Sequence, residues 1–411
     1  MISLFFTGFL LLTLLWNLYY AKHWKRDLSV SLEFLQNFVY AGDQTKMQER
    51  IENRKKLPLP VLEVSFHVDK NLSFHDCENT NVSDYTYKRD IFALLGRQRI
   101  TRTLTLDCPK RGFYRIDKSY LAAFSLLHGD RFSAESCADT SLYVYAARCN
   151  VSEIIVICER LMGNLQCAKR LYEDPFAFSS IREYTTADPM NTINWKATAK
   201  TGALMVNTFE STLTEQVMIY LDLEDRGILK YEHLIEESVS VAASLAQRLI
   251  GRGMEVGLCI NAGIGGFATQ NIPAAATTRL PVNNSESPSS RMEKDTAKKT
   301  PPIIILAPAG GKKQLADMEQ VLAIRRADKD IVPFTKLFSE PSFADNSFFR
   351  SCRDAITIVI SKNATQNQSA IERLIGQDQQ AVWVVPYTAK EDCDVKTLSN
   401  IHVVRREVSP Y

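Results

Sequence analysis

No Cys-x-x-C, no His-Glu-x-x-His and no Gly-x-Ser-x-Gly occurs in this 411-residue chain. The first absence removes the usual zinc-knuckle and dithiol spacings. The other two remove a zincin helix and a nucleophile elbow. Net charge is scarce as well. The 49 Lys and Arg against 47 Asp and Glu leave +2, and no basic block is dense enough to neutralise a phosphate track, so nucleic acid is not an expected partner. The 6 histidines are dispersed, and nothing pairs a nucleophile with a base, so the chain is not expected to be an enzyme. Its 9 cysteines are an odd number. Cys149, Cys158 and Cys167 recur at a spacing that suits no ligand knuckle, and they read as thiols in strands and loops. An odd, scattered set fits a reducing compartment better than a disulfide framework.

Apolar residues make up 45% of the chain and charged residues 23%, enough to bury one sizeable core and by expectation two. The uncharged run ISLFFTGFLLLTLLWNLYYA, Ile2 to Ala21, is about 30 Å long as a helix. Trp16, Tyr19 and Tyr20 stand near its end and Lys22, Lys25 and Arg26 follow, whereas the basic start and small-residue cleavage site of a secretory signal are missing. This reads as a retained single-pass anchor, in contact with the lipid bilayer through residues 2–21. The expected location is the cell membrane, with the C-terminal domains cytoplasmic.

Residues 22–56 read as a juxtamembrane segment. Beyond them, PLPVLEVSFHV and RITRTLTLDC alternate with the period of half-buried strands, and KRGFYRID and SLYVYAAR add more short strands up to about Asn150. A β-rich sandwich or barrel is expected over residues 57–175, followed by a signature segment at 176–215. From residue 216 to 411 the rhythm changes. QVMIYLDL, EVGLCIN, AITIVIS and AVWVVPY are near-continuous apolar runs, as in strands covered on both faces, and EESVSVAASLAQRLIGRG, ADMEQVLAIRRA and SAIERLIG read as helices between them. That alternation predicts a doubly wound α/β domain with a mostly parallel sheet. Residues 273–302, rich in Pro, Ser, Thr, Asn and Lys, read as a flexible excursion within it.

In open α/β sheets, ligands sit beyond the carboxyl ends of the strands. The run ending at Leu221 delivers Asp222, Glu224 and Asp225 there. These are candidate oxygen ligands for Mg²⁺, but Arg226 beside them opposes a cation, and a solvated acidic loop is the expected reading. NAGIGG at Asn261 leads into no helix, and PAGGKKQ at Pro308 lacks the spacer and hydroxyl of a P-loop. No cofactor is expected.

One stretch carries a family pattern. IREYTTADPMNTINWKATAKTGALMVNTFE contains Arg182, Glu183, Tyr184, Asp188, Ile193, Asn194, Trp195, Lys196, Ala199, Lys200, Leu204, Val206 and Glu210. It resembles the bacterial domain-of-unknown-function 58 family. The chain departs from that pattern at Ala187 for glycine, Asn194 for aspartate, Thr198 for serine and Lys200 for arginine. The resemblance implies a membrane anchor, a β-rich domain, a von Willebrand factor A-like domain and a MoxR-type AAA+ ATPase as partner, with other membrane proteins as further partners. It also implies that Asp222-Leu-Glu224-Asp225-Arg226 is a degenerate form of a metal-dependent adhesion site.

On physical grounds, Trp195 offers an apolar face with one N–H donor. Arg182, Lys196 and Lys200 offer cations for Asp188, Glu183 or Glu210. The signature is therefore expected to latch a linker and to present an interaction surface. The function expected is that of a membrane-tethered interaction or scaffold protein. The alternative is a metal-dependent adhesion or sensor module at Asp222.

Overall fold

The computed structural model describes residues 2–408 except 77, 126–129, 170–177, 187, 210–215, 226–230, 263–302, 325–330, 338–354, 363, 376–379 and 389–399. The excursion expected at 273–302 and the signature residue Glu210 lie outside the described residues. The chain divides into two compact units, Met1–Arg148 with Glu319–Arg326, and Cys149–Met318 with Ala327–Tyr411.

The first unit opens with helix α1, Ile2–His23, and continues as a β-sandwich. One sheet has the order β1-β3-β8-β5, from Leu28–Phe34, Gln44–Asn53, Arg99–Asp107 and Ser73–Phe74. The other has the order β2-β10-β9-β4-β7-β6, from Phe38–Tyr40, Arg131–Tyr145, Gly112–Phe124, Leu59–Asp69, Tyr85–Leu94 and Thr80–Val82. Leu32, Met47 and Leu106 from the first sheet share a buried core with Phe66, Ile116 and Val144 from the second. Each is the inward member of a two-residue alternation, the geometry that makes a sheet bury one face. Residues 28–53 are thus sandwich strands, where a juxtamembrane segment was expected. In β3, Thr45, Met47, Glu49, Ile51 and Asn53 all face inward, and three polar members of that row hide its period.

The membrane anchor expected at Ile2 to Ala21 is overturned. Among the described residues no helix is long and apolar enough to cross a membrane. The reason lies at the end of α1 and just beyond it. Tyr20 and Trp24 are buried in a sandwich core with Val30, Leu62 and Leu121, and Asn17 Nδ2 donates to Asp130 Oδ2 at 2.5 Å. The run that precedes Asn17, Ile2 to Trp16, is 15 residues, short of the roughly 20 that a span needs. The expected single-pass location at the cell membrane falls with it.

The second unit begins with helix α2, Ser152–Lys169, which lies in the stretch expected to be β-rich and carries Cys158 and Cys167, expected in strands and loops. Ile154, Ile155, Cys158, Leu161 and Met162 form a buried helical stripe. A two-stranded ribbon follows, β11 at Phe178–Glu183 and β12 at Met205–Phe209, antiparallel, with helix α3 at Trp195–Thr201 between its strands. The main sheet has the order β15-β14-β13-β16-β17-β18, from Ile304–Ala309, Glu255–Ile260, Gln216–Leu221, Ile356–Ile360, Ala381–Tyr387 and Ile401–Glu407. Only the β14–β15 pairing is antiparallel. Helices α4 (Glu232–Gly251), α5 (Gly311–Ile324), α6 (Phe334–Leu337) and α7 (Ala364–Ile375) connect these strands. Met218 and Tyr220 pack with Ile371 and Ile375 of α7, while Val217, Ile219 and Leu221, equally buried, point to the other face.

The fold class read from the sequence, an α/β von Willebrand factor A-like half with a β-rich domain and a transmembrane helix, is therefore corrected. Taken over the described residues the chain is β-rich, with 18 strands among the described elements, and no helix among them is long and apolar enough to cross a membrane.

Candidate functional site

In the main sheet, chain order runs outward from β13 in both directions, through β14 on one side and β16 on the other. The carboxyl ends of β13 and β16 form a topological switch point, where open sheets leave a crevice. Asp222, directly after β13, is only 1% exposed. Its Oδ1 accepts from Asn261 Nδ2 at 2.6 Å and from the Glu224 backbone N–H at 3.0 Å. Its Oδ2 accepts from Ser361 Oγ and from Asn367 Nδ2, both at 2.7 Å. Burial pushes the Asp222 carboxyl above the usual carboxylate range, while the Glu224 N–H, the Ser361 hydroxyl and the Asn261 amide pull it back. The Asn261 side chain also accepts from the Leu223 N–H at 2.8 Å, so it ties the end of β14 to that of β13.

The neighbouring acids are engaged too. Asp225 pairs with Lys362 Nζ at 2.5 Å, both side chains under 10% exposed, and accepts from the Tyr231 N–H at 2.9 Å. Glu224 Oε2 accepts from the Phe334 N–H at 3.2 Å, at the start of α6. The expected solvated acidic loop is thus a buried polar cluster. Lys362 supplies the positive charge that Asp225 needs, and Asp222 is wrapped by four donors. Among the described residues no group of three or more His, Cys, Asp or Glu gathers in metal-holding geometry. Sequence reasoning reached Asp222, Glu224 and Asp225 but missed Asn261, Lys362 and Asn367 as partners. The available signal was position: Asn261 follows β14, and Ser361 and Lys362 follow β16.

The signature forms a second polar cluster within the ribbon. Arg182 in β11 grips Asp188 through two parallel bonds, Nη1 to Oδ2 at 2.7 Å and Nη2 to Oδ1 at 2.5 Å. The Thr185 N–H and hydroxyl also donate to Asp188 Oδ2, at 2.9 and 2.8 Å. The Arg182 guanidinium, and then Thr185, hold the Asp188 carboxyl well below the usual carboxylate range. Asn194 caps α3, accepting from the Ala197 N–H at 3.0 Å and donating to Asn207 Oδ1 at 2.7 Å. Thr198 Oγ accepts from the Met205 N–H at 3.0 Å, and Gly202, in the left-handed region at φ 76°, ends the helix.

The structure thus locks Arg182 to Asp188 in one turn and Asn194 to Asn207 at the start of α3, with Tyr184 half-buried and Glu183 exposed. Lys196 and Lys200 are exposed on α3, and Trp195 is 68% exposed. Ile181, Met190 and Leu204 of the same motif are exposed as well. The locking partners that sequence reasoning missed, Thr185, Thr198 and Asn207, are short polar residues of a kind that is common in any loop.

Residues 180–330 match the family model described as protein of unknown function DUF58, a stretch that holds both clusters' central residues, and this supports that family for the segment. No curated protein matches the chain. Among solved structures, the CARDB domain of the PF1109 protein of Pyrococcus furiosus is 13% identical, covering 28% of this chain and 94% of that one at a TM-score of 0.18. A non-cellulosomal cohesin of Archaeoglobus fulgidus is 11% identical, covering 31% and 97% at 0.20. The alpha-2-macroglobulin of E. coli is 17% identical, covering 29% and 7% at 0.22. At such scores these likenesses carry no argument.

Proposed function

We propose that this protein acts by contact rather than by catalysis, as an interaction or scaffold protein that works with a MoxR-type AAA+ ATPase. The observation that carries the reading is Trp195: a large ring left open to solvent on a motif whose polar groups are bound to one another. Keeping an exposed indole on a rigid support reduces the ordering cost of docking, and aromatic rings of this kind are favoured anchors in protein interfaces. The identity of the partner rests on the family resemblance alone. A metal-dependent reading at Asp222 is opposed by Lys362, whose ammonium already neutralises Asp225.

The test is co-purification of the full chain with the ATPase after mild crosslinking, using wild type, Trp195→Ala and Met190→Ser. Retention by wild type and at least a several-fold loss in Trp195→Ala is the expected result. Equal recovery from all three, or no recovery from wild type, overturns the proposal.

A further inference from the structure

Strand β7 is built inside out. Its inward residues are Thr86, Lys88 and Asp90, whereas Tyr85, Tyr87, Arg89 and Ile91 face solvent. A one-residue shift of register would bury the aromatic row, and β4 pairs with β7 without that shift, Ser65 opposite Arg89 and His67 opposite Tyr87. A buried polar row and an exposed aromatic row on one strand is the informative departure from ordinary burial.

The neighbouring strands extend this outer face. His67 on β4 lies against Tyr85 at 5.0 Å, Tyr87 at 5.9 Å and Tyr120 of β9 at 6.5 Å between ring centroids, the last pair nearly parallel. The three tyrosines are each close to half exposed. The aromatic ground gives way at Tyr120 to a groove of about 450 Å³ lined by Glu63, Ser65, Ala122, Arg131, Ser133 and Glu135. Small residues make that room: Ala122 stands opposite Glu63 on one side and Ser133 on the other. The groove's charges are of both signs and already paired. The Glu63 carboxylate accepts from Arg89 at 2.6 Å and from Arg131 at 3.2 Å, and Glu135 pairs with Lys118 at 2.8 Å.

We propose that this face is a binding site for a neutral oligosaccharide. Exposed tyrosine rings on a rigid sheet match the apolar C–H faces of pyranose rings. The guanidinium groups of Arg89 and Arg131 and the carboxylate of Glu135, each more than half exposed, supply the donors and acceptors that neighbouring hydroxyls require. Three cations, Arg89, Arg131 and Lys118, stand against two carboxylates, Glu63 and Glu135, an excess too small to neutralise a polyanion's phosphate track. The site lies wholly in the sandwich and is independent of the Trp195 proposal.

The experiment is calorimetric titration of the full chain with three hexasaccharides, of β-1,4-glucose, β-1,4-N-acetylglucosamine and α-1,4-glucose, each to millimolar concentration. Binding of at least one is expected, weakened by about 10-fold or more in Tyr87→Ala and Tyr120→Ala. Ser65→Trp, which fills the groove and leaves the rings in place, is expected to weaken it as well, whereas Trp195→Ala leaves it unchanged. Unfolding midpoints of all variants separate lost binding from lost folding. The proposal is overturned by the absence of heat with all three sugars, by affinity unchanged in variants that remain folded, or by a uridine oligonucleotide or an acidic peptide binding the same face in the sugars' place.

Discussion

Asp222 and Glu49 are both carboxylates sealed from water, each 1% exposed, yet the two units treat them in opposite ways. Four protein donors surround Asp222 at the switch point of the main sheet. Glu49, inside the sandwich, has neither carboxylate oxygen hydrogen-bonded. Its surroundings hold charge all the same. Asp90 raises the Glu49 pKa while Arg102 and Lys88 lower it, but Arg102 is spent on Asp90, at 3.1 Å. Burial dominates and pushes the Glu49 carboxyl up to about 7. The difference teaches what kind of order each region has. The switch point is a closed polar network that fixes three strand ends relative to one another, whereas the sandwich tolerates an unsatisfied acid because the surrounding apolar core outweighs it.

Removing the network's hub is the severest way to break this comparison. Asp222→Ala leaves the Asn261 and Asn367 amides, the Ser361 hydroxyl and the Glu224 N–H facing a small apolar void. With each stranded donor costing about 1–3 kcal/mol, partly relieved by entering water, a loss of about 5 kcal/mol is expected. Urea denaturation followed by far-ultraviolet circular dichroism measures it. A loss below about 1 kcal/mol would mean that the network contributes nothing.

Next in size is Lys362→Met, which leaves Asp225 buried without its cation. Breaking one half of such a pair is expected to cost about 4 kcal/mol, and the double variant Lys362→Met/Asp225→Leu is expected to recover most of that loss. A double variant no more stable than the single one would show that the partners act independently.

How much of this was legible in the sequence follows from the same physics. The apolar runs at Gln216, Glu255, Ile356 and Ala381 show plainly because strands covered on both faces need unbroken apolar sequence. The strand-end rule then leads directly to Asp222. Its partners were not legible: Asn261 and Asn367 lie 39 and 145 positions away, and no local pattern announces a contact of that range. Strand β3 was hidden because an inward row containing Thr45, Glu49 and Asn53 does not look like a core. The uncharged start of the chain misled for the converse reason. Composition registers an apolar run but not that Tyr20 and Trp24 at its end are claimed by a protein core.

Glu49→Gln sharpens the comparison through pH. The folded-state pKa of Glu49 lies above the ordinary carboxylate value of 4.5, so the folded protein holds the proton more tightly than the unfolded chain does. Stability from this group is therefore highest below about pH 4.5, falls as pH rises toward about 7, and stays low above that. Glu49→Gln is expected to remove this slope, adding up to about 3 kcal/mol above pH 7 and little at pH 4. Unfolding midpoints taken at half-unit steps from pH 4 to 8 test it. A wild-type curve without that decline, or a variant that is no more stable at pH 8, would place water or a protein donor on Glu49.

The smallest expected effect belongs to the signature ribbon, which shares the Asp222 pattern of satisfied polar groups but lies at the surface. Asn194→Ala removes the cap of α3 and the link to Asn207, with an expected cost of about 1 kcal/mol. Because α3 has only 7 residues, that cost is comparable to the whole free energy holding the helix, so the loss should be local. Amide exchange is expected to accelerate at Ala197 and Thr198 while the buried strand β13 keeps its protection. Trp195→Ala provides the contrast within the same helix, since an indole already 68% exposed has little packing to lose. Amide protection that is unchanged in Trp195→Ala but reduced in Asn194→Ala would assign order to the polar lock and leave the ring free for a partner. Equal loss in both would make the tryptophan a structural part of the ribbon.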